Sequence, residues 1–427
     1  MIVVGLDLHV RNSFLHVEDG DGRRLKRGRV GNSLAELAQF LGALEPRLTQ
    51  APREPVRVVM ESTTNSRAMY GLLNDYARAA GVELSAQVLD ARRLRVIAQS
   101  VSKCDKLDAA VLAELARSNL TLPACYVPDD AVFALREHLR ARADLVRIRT
   151  MLKNRVHALL HRRGLPPAGD PFGRAGRAAL AGLALDAAGR AILDRYLAQL
   201  DAIERAVRES TRELRELSCD GGDGDGDGGG GGGRWCKPLA LLCTMPGVGL
   251  IHGLTILAEL GDIDRFRSRA AVSNWAGLVP VVRDSNHKRF AGHITRRGSA
   301  HLRATMTEAA WSAVRTGGRT GGRTRCRRYG AIFHRIGRAK CKQVAIIAVA
   351  RRMLEDAWMM LKRDEEFRDE VSRDDVFRND DERRDDDDDD ECRDRSSTQM
   401  PATASAAQAA DEIATRRTPQ AEPAVWA

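Results

Sequence analysis

Residues 2–10 read IVVGLDLHV. Ile2 to Leu6 are apolar and rich in β-branched side chains, the composition of a buried strand. Asp7 then sets a carboxylate in that strand, which is costly unless the charge is paired or binds a metal. Three more acids stand in comparable places: Glu61 after the apolar run VRVVM, then Asp105 and Asp108 in KCDKLDA. Four such carboxylates converging on one point make a two-metal phosphodiester site.

Working outward from Asp7, IVVGLDL, SFLHVED and RLKRGRV read as three successive strands. SLAELAQFLGAL spaces Leu34, Leu37, Leu41 and Leu44 as a helix face, with Ser33 as its cap. VRVVMES and LSAQVLD read as further strands, and 65–80 and 107–115 as helices. Three strands followed by alternating helix and strand predict an α/β mixed sheet of the RNase H type for residues 1–125.

Residues 126–219 read as a helical coiled-coil region. Val132, Leu135, Leu139, Val146, Leu152, Val156, Leu159 and Leu160 fall largely on one face, and arginines populate the rest. After the break GLPPAGDPFG, Leu193, Leu200, Val207 and Leu214 recur every seven residues. That seam suits a dimer or an intramolecular helical hairpin. Residues 220–233, DGGDGDGDGGGGGG, read as a flexible linker, because they lack the ligand spacing of a calcium loop. A second, mostly helical unit is expected over 234–363, followed by a disordered acidic tail over 364–427.

The 427 residues carry a formal charge of +10. Residues 364–427 hold 9 Arg against 21 Asp and Glu, a net −12, which leaves +22 on residues 1–363. A body that basic suits a polyanion such as nucleic acid, and the tail reads as a solvated end or an internal mimic of that polyanion. None of the eight cysteines forms a CxxC pair, so a zinc ribbon is not expected. The sequence shows no signal peptide and no run of about 18 apolar residues, which points to a cytoplasmic, nucleoid-associated protein with no membrane partner.

Asp105 and Asp108 are three apart and share one helix face, and Lys103 and Lys106 beside them could touch phosphates. Taken singly, each acid has a plainer reading as a turn residue or a helix N-terminal acid. Further on, LLCTMPGVGLIHGLTILAELGD has the form helix, PGVG turn, helix. Gly247 and Gly249 permit a tight turn with exposed amides before a helix N-terminus, as in a helix-hairpin-helix. Then Arg283, His287, Lys288, Arg289, Arg296, Arg297 and Arg303 crowd around Ser285. The residues alone favour a phosphate-binding loop, with Ser285 as a nucleophile the sharper alternative. Ser299 in RRGSAHLR reads as a helix cap.

The ordered series GLDLHV, MEST, KCDKLDA, MPGVG, FRSRAAVSNWAGLVP, HITRRGSAHLR and CKQVAIIAVARRML resembles the bridge-RNA-guided insertion-sequence transposases over about residues 1–360. The resemblance implies a RuvC-like N-terminal domain in which Asp7, Glu61, Asp105 and Asp108 hold Mg2+ or Mn2+. It implies Ser285 as a nucleophile forming a 5′-phosphoserine link to DNA. It also implies a homo-oligomer, dimer or tetramer, with composite sites, and a structured guide RNA that pairs with element ends and target DNA. In the family the serine usually precedes a small Gly-containing turn, whereas here Asn286 and His287 follow it. The rival expectations are a resolvase-like metal nuclease and a catalytically inactive nucleic-acid-binding copy.

Overall fold

The computed structural model describes residues 1–44, 47, 54–91, 93, 105–118, 120–165, 169–219, 233–285, 288–315 and 326–369. Within these, 105–107, 219, 282–285 and 288–291 are described by backbone alone. The chain forms two compact units, one of residues 1–239 with 253–263, the other of residues 240–252 with those from 264 on.

The first unit is built on a five-stranded mixed sheet. Its strands are β1 (Ile2–Leu8), β2 (Asn12–Glu18), β3 (Arg24–Gly31), β4 (Val56–Glu61) and β5 (Leu84–Leu89), in the order β3-β2-β1-β4-β5. β1 pairs antiparallel with β2 and parallel with β4, and β5 runs parallel to β4. β1 is therefore central, which is why its apolar run is continuous rather than alternating. Its two faces feed two cores. Ile2, Val4, Leu6 and Leu8 pack with Leu37 of helix α1 (Leu34–Gly42) and with Met69 and Leu73 of α2 (Ser66–Ala80). Val3 packs with Val59, Leu89 and with Leu112, Leu115 and Ala116 of α3 (Asp105–Arg117). Each such side chain taken from water contributes about 1.5–3 kcal/mol before chain entropy is counted. Ser33 caps α1 by accepting from the Glu36 amide, as its sequence predicts.

The helical region contains α4 (Asp130–His161), α5 (Arg174–Ala181) and α6 (Ala187–Cys219). Asp129 caps α4. The heptad residues Leu193, Leu200 and Leu214 are fully buried and Val207 nearly so, within a single chain. Val156, Leu159 and Leu160 of α4 share a core with Leu193, and Arg142 Nε donates to Thr211 Oγ1 at 2.8 Å. The seam is thus covered by α4, in the hairpin arrangement. α5 was not expected from the sequence. It packs Leu180 into the same core.

Next come α7 (Cys236–Cys243) and α8 (Leu250–Leu260), whose residues from Gly253 to Leu260 are all buried. The second unit holds α9 (Arg269–Ala276), a hairpin of β6 (Pro280–Ser285) and β7 (Lys288–Ile294), α10 (Ala300–Arg315), α11 (Arg327–Ala339) and α12 (Lys342–Arg363). Ser299 caps α10, its Oγ accepting from Leu302 N at 3.1 Å. Among the described residues no helix is long and apolar enough to cross a membrane.

Candidate active site

Leu6 of β1 pairs with Met60 of β4, so the next residues, Asp7 and Glu61, stand side by side at the carboxyl ends of adjacent strands. Neighbouring strands lie about 4.8 Å apart. Strand alternation puts Val3, Gly5 and Asp7 on one face of β1, and Val59 and Glu61 on the same face of β4, the face covered by α3. α3 runs antiparallel to both strands. At its end, Ala116 O accepts from Arg57 Nη1 at 2.9 Å, near the start of β4. In its middle, Ala109, Leu112 and Ala113 lie on Gly5. Its first turn, which carries Asp105 and Asp108, therefore stands level with Asp7 and Glu61. Asp108 is half-buried, and the Asp7 side chain is 19% exposed.

His9 belongs to this corner although the sequence did not single it out. Its Nε2 lies 3.3 Å from Asp7 Oδ2. Its carbonyl accepts from Asn32 Nδ2 at 2.7 Å and from Asn65 Nδ2 at 2.8 Å. Asn32 Oδ1 accepts in turn from Ser13 Oγ at 2.6 Å, and Asn65 Oδ1 from Thr63 Oγ1 at 3.0 Å. Three connections, β1–β2, β3–α1 and β4–α2, are thereby tied to His9, two residues past Asp7. Asn65 stands at the N-cap position of α2 yet makes no side-chain cap bond there; its Oδ1 accepts from Thr63 Oγ1 instead, and its NH2 is used on His9.

The donor chemistry is that of a hard divalent cation: carboxylate oxygens on a strand end and a helix turn. Asp7, Glu61 and Asp108, with Asp105 from the same helix turn, are the residues that would hold it. Among the described side chains, which exclude that of Asp105, no group of three ligands closes on a single point.

Lys103 lies outside the described residues, and Lys106 is placed only as the second residue of α3. In the second unit, the loop expected around Ser285 is a β-hairpin. Ser285 pairs with Lys288, Asp284 with Arg289 and Arg283 with Phe290. Arg283 and Lys288 therefore share the face of Ser285, whereas Arg289 sits on the other face opposite Asp284. His287 lies outside the described residues. Arg296 and Arg297 are exposed, and Arg296 has φ 52°. Arg303 is used internally: its Nη1 donates to the carbonyls of Ala276, Arg297 and Gly298 at 3.1, 2.7 and 3.1 Å. Burial, and then Arg296 nearby, lower its pKa. Gly247 has φ +84°, and a Cβ there would lie 2.3 Å from Ala309 O, so this glycine serves packing on α10. Gly249 is exposed with open space around it, just before α8.

Residues 239–325 match the model of the transposase family IS116/IS110/IS902, and residues 4–163 match a DEDD transposase model of the IS110 type. The chain is 26% identical over 300 residues to the transposase for insertion sequence element IS1111A of Coxiella burnetii, covering 69% of this chain and 76% of that one. It is 23% identical over 409 residues to the insertion element IS116 uncharacterized 44.8 kDa protein of Streptomyces clavuligerus, covering 84% and 94%. It is 25% identical over 314 residues to the transposase for insertion sequence element IS1328 of Yersinia enterocolitica, covering 72% and 82%. With one model matched on each side of the Gly/Asp-rich segment, and the two together spanning more than half of its length, the chain belongs to the IS116/IS110/IS902 family of insertion-sequence transposases.

Proposed function

We propose that this transposase cuts and rejoins DNA strands with two sets of residues: the carboxylates Asp7, Glu61, Asp105 and Asp108, and the hydroxyl of Ser285. The reading rests above all on the antiparallel run of α3, which brings its first turn level with Asp7 and Glu61. A bound Mg2+ or Mn2+ supplies charge neutralisation of the scissile phosphate. The protein's own residues do the rest. The four acids orient that charge at the sheet edge in an RNase H-like, RuvC-like frame. Ser285 Oγ attacks the phosphorus, the bond to the 3′ oxygen breaks, and the departing 3′ oxygen takes up the serine proton. The 5′ phosphate is then held as a phosphoserine ester until another 3′ hydroxyl displaces it. Arg283 and Lys288 offset the charge on the face of Ser285, while Arg296, Arg297 and the amides near Gly249 hold the backbone.

A structured guide RNA and a homo-oligomer, dimer or tetramer, complete the reading. The +22 charge of residues 1–363 supports a nucleic-acid load. The test is a covalent adduct. The protein is co-expressed with element-end DNA, and denatured lysate is probed for protein-linked DNA. An adduct lost in Ser285→Ala and in Asp7→Asn supports the reading. Metal-dependent nicking without adduct, unaffected by Ser285→Ala, overturns it in favour of a resolvase-like nuclease.

A further inference from the structure

After α12 the chain turns back. Asp364 closes the helix at φ 58°, and Glu365 N donates to Met360 O at 3.1 Å. Phe367 settles against the buried Tyr329 with ring centroids 5.4 Å apart, and its amide donates to Thr244 Oγ1 at 3.0 Å. Asp369 then caps α11: its carboxylate accepts from the amides of Arg327 and Arg328 at 3.0 and 3.1 Å and from Cys326 Sγ at 3.1 Å. The short strap 364–369 thus delivers the following sequence to the N-terminal end of α11.

That helix edge is strongly basic. Arg327, His334 and Arg338 are exposed at positions 0, 7 and 11 of one helical stripe, and Lys340 and Lys342 are exposed just past the end of α11. No Asp or Glu occurs between residues 327 and 354. Arg335, beside the stripe, has Nε and Nη1 hidden from solvent with no hydrogen-bond partner among the described residues. The sequence released at Asp369 has the opposite sign: residues 374–394 hold 13 acids and 4 Arg. From Arg327 to Arg338 the stripe is about 16 Å long. Sixteen residues separate Asp369 from Asp385, and a chain of that length has a typical end-to-end reach of about 20–24 Å, enough to bring the acid run to the whole stripe. Such a tether sets a local concentration in the millimolar range.

We propose that the acidic segment 374–394 docks along the exposed basic edge of α11 and competes there with a nucleic-acid backbone. The docking stands on strap and charge; only the competition rests on the nucleic-acid reading above.

The full-length protein is compared with a full-length variant in which each residue from Asp385 to Asp390 is changed to Asn. Binding of a fluorescein-labelled 30-base-pair duplex is read by polarisation. At about 0.1 M salt the variant binds about tenfold more tightly, and the gain shrinks as salt rises. The gain disappears when Arg327→Gln, Arg338→Gln and Lys340→Gln are combined with the tail variant. In parallel, carbodiimide is added without DNA and cross-links are mapped by mass spectrometry. Links from tail carboxylates concentrated on Lys340 and Lys342 support docking even if the duplex fails to bind, which would count against the nucleic-acid reading alone. Links spread equally over Lys26, Lys153 and Lys237, or a binding gain that survives neutralisation of α11, overturn the proposal.

Discussion

Gly5 lies flat on Ala109: a Cβ built on Gly5 would come 1.9 Å from the Ala109 carbonyl oxygen and 2.4 Å from the Ala113 amide nitrogen. This contact sets how close α3 approaches β1, and with it where Asp105 and Asp108 sit relative to Asp7. Backbone atoms cannot step aside as a side-chain tip can. Gly5→Ala is therefore expected to cost about 3 kcal/mol or more of stability and to shift α3 off the sheet. Chemical denaturation followed by tryptophan-independent circular dichroism reads the loss. A variant of unchanged stability would show that α3 has room to move.

Much of the sheet was legible because each strand declares its own burial. Ile2 to Leu6, VRVVM and LSAQVLD are local signals. The corner around Asp7 was only half legible. The acids stand out as charges in apolar runs, but the direction of α3 depends on Gly5 and on Arg57 reaching Ala116, 59 residues away. His9 was missed for the same reason, since its partners Asn32 and Asn65 lie 23 and 56 residues along the chain. The heptad of α6 was readable, yet a seven-residue repeat does not say which helix covers it. The hairpin at Ser285 was hidden because Arg283, Asp284, Lys288 and Arg289 mask the alternation of a strand.

The carboxylates give a facial prediction. Asp90 follows Leu89 at the end of β5, and Leu89 packs on the α3 side, so Asp90 falls on the opposite face from Asp7 and Glu61. Asp7→Asn, Glu61→Gln and Asp108→Asn are each expected to lower DNA cleavage at least about a hundredfold, in the range of lost metal binding. Asp90→Asn is expected to leave cleavage within about twofold. Cleavage of supercoiled plasmid with Mg2+ checks this, with thermal melting to show that each variant is folded. Equal losses in all four would remove the facial argument.

The amide clamp on His9 predicts a graded effect. Asn65→Ala and Asn32→Ala each free one donor from the His9 carbonyl without touching Asp7 itself. Each is expected to reduce cleavage about 10–100-fold, as for groups that orient a ligand from behind. Raising Mn2+ should recover part of the loss, which simple unfolding would not allow. The control is Thr63→Ala, which removes only the outer bond to Asn65 and should cost less than Asn65→Ala.

Glu259, at the end of the buried α8, is 3% exposed and pairs with Arg140 at 3.1 Å. Arg136 closes the same helix end by donating to the carbonyls of Ala258 and Glu259 at 2.7 and 3.0 Å. Burial lowers the Arg136 pKa, and Glu259 opposes that shift. Removing the carboxylate leaves the half-buried Arg136 and the half-exposed Arg140 without their counter-charge. Glu259→Ala is expected to cost about 3 kcal/mol, the lower end for a broken buried pair, because Arg140 is half exposed. Urea denaturation measures it. A cost below about 1 kcal/mol would place the pair among ordinary surface bridges.

Asp129 supplies the pH dependence. Its carboxylate is held below the usual range first by the hydrogen bond from Arg234, and also by the Val132 amide at the start of α4, while burial works against them. A lowered folded pKa means that its stabilisation is fully present above the unfolded value of about 3.9 and is lost as pH falls through the folded value. Asp129→Ala removes the cap and should cost about 1 kcal/mol at pH 7. Asp129→Asn keeps a cap acceptor but removes the charge that holds Arg234, a half-exposed pair worth at most about 1 kcal/mol. The difference between wild type and Asp129→Asn should therefore shrink as pH falls below the unfolded value and vanish once pH has fallen through the folded one, whereas the deficit of Asp129→Ala relative to Asp129→Asn should persist there. Amide exchange at Val132 reads this locally, so that unfolding of the other unit does not blur the result. An exchange rate indifferent to the Asn substitution at pH 7 would assign the whole effect of Asp129 to capping and none to Arg234.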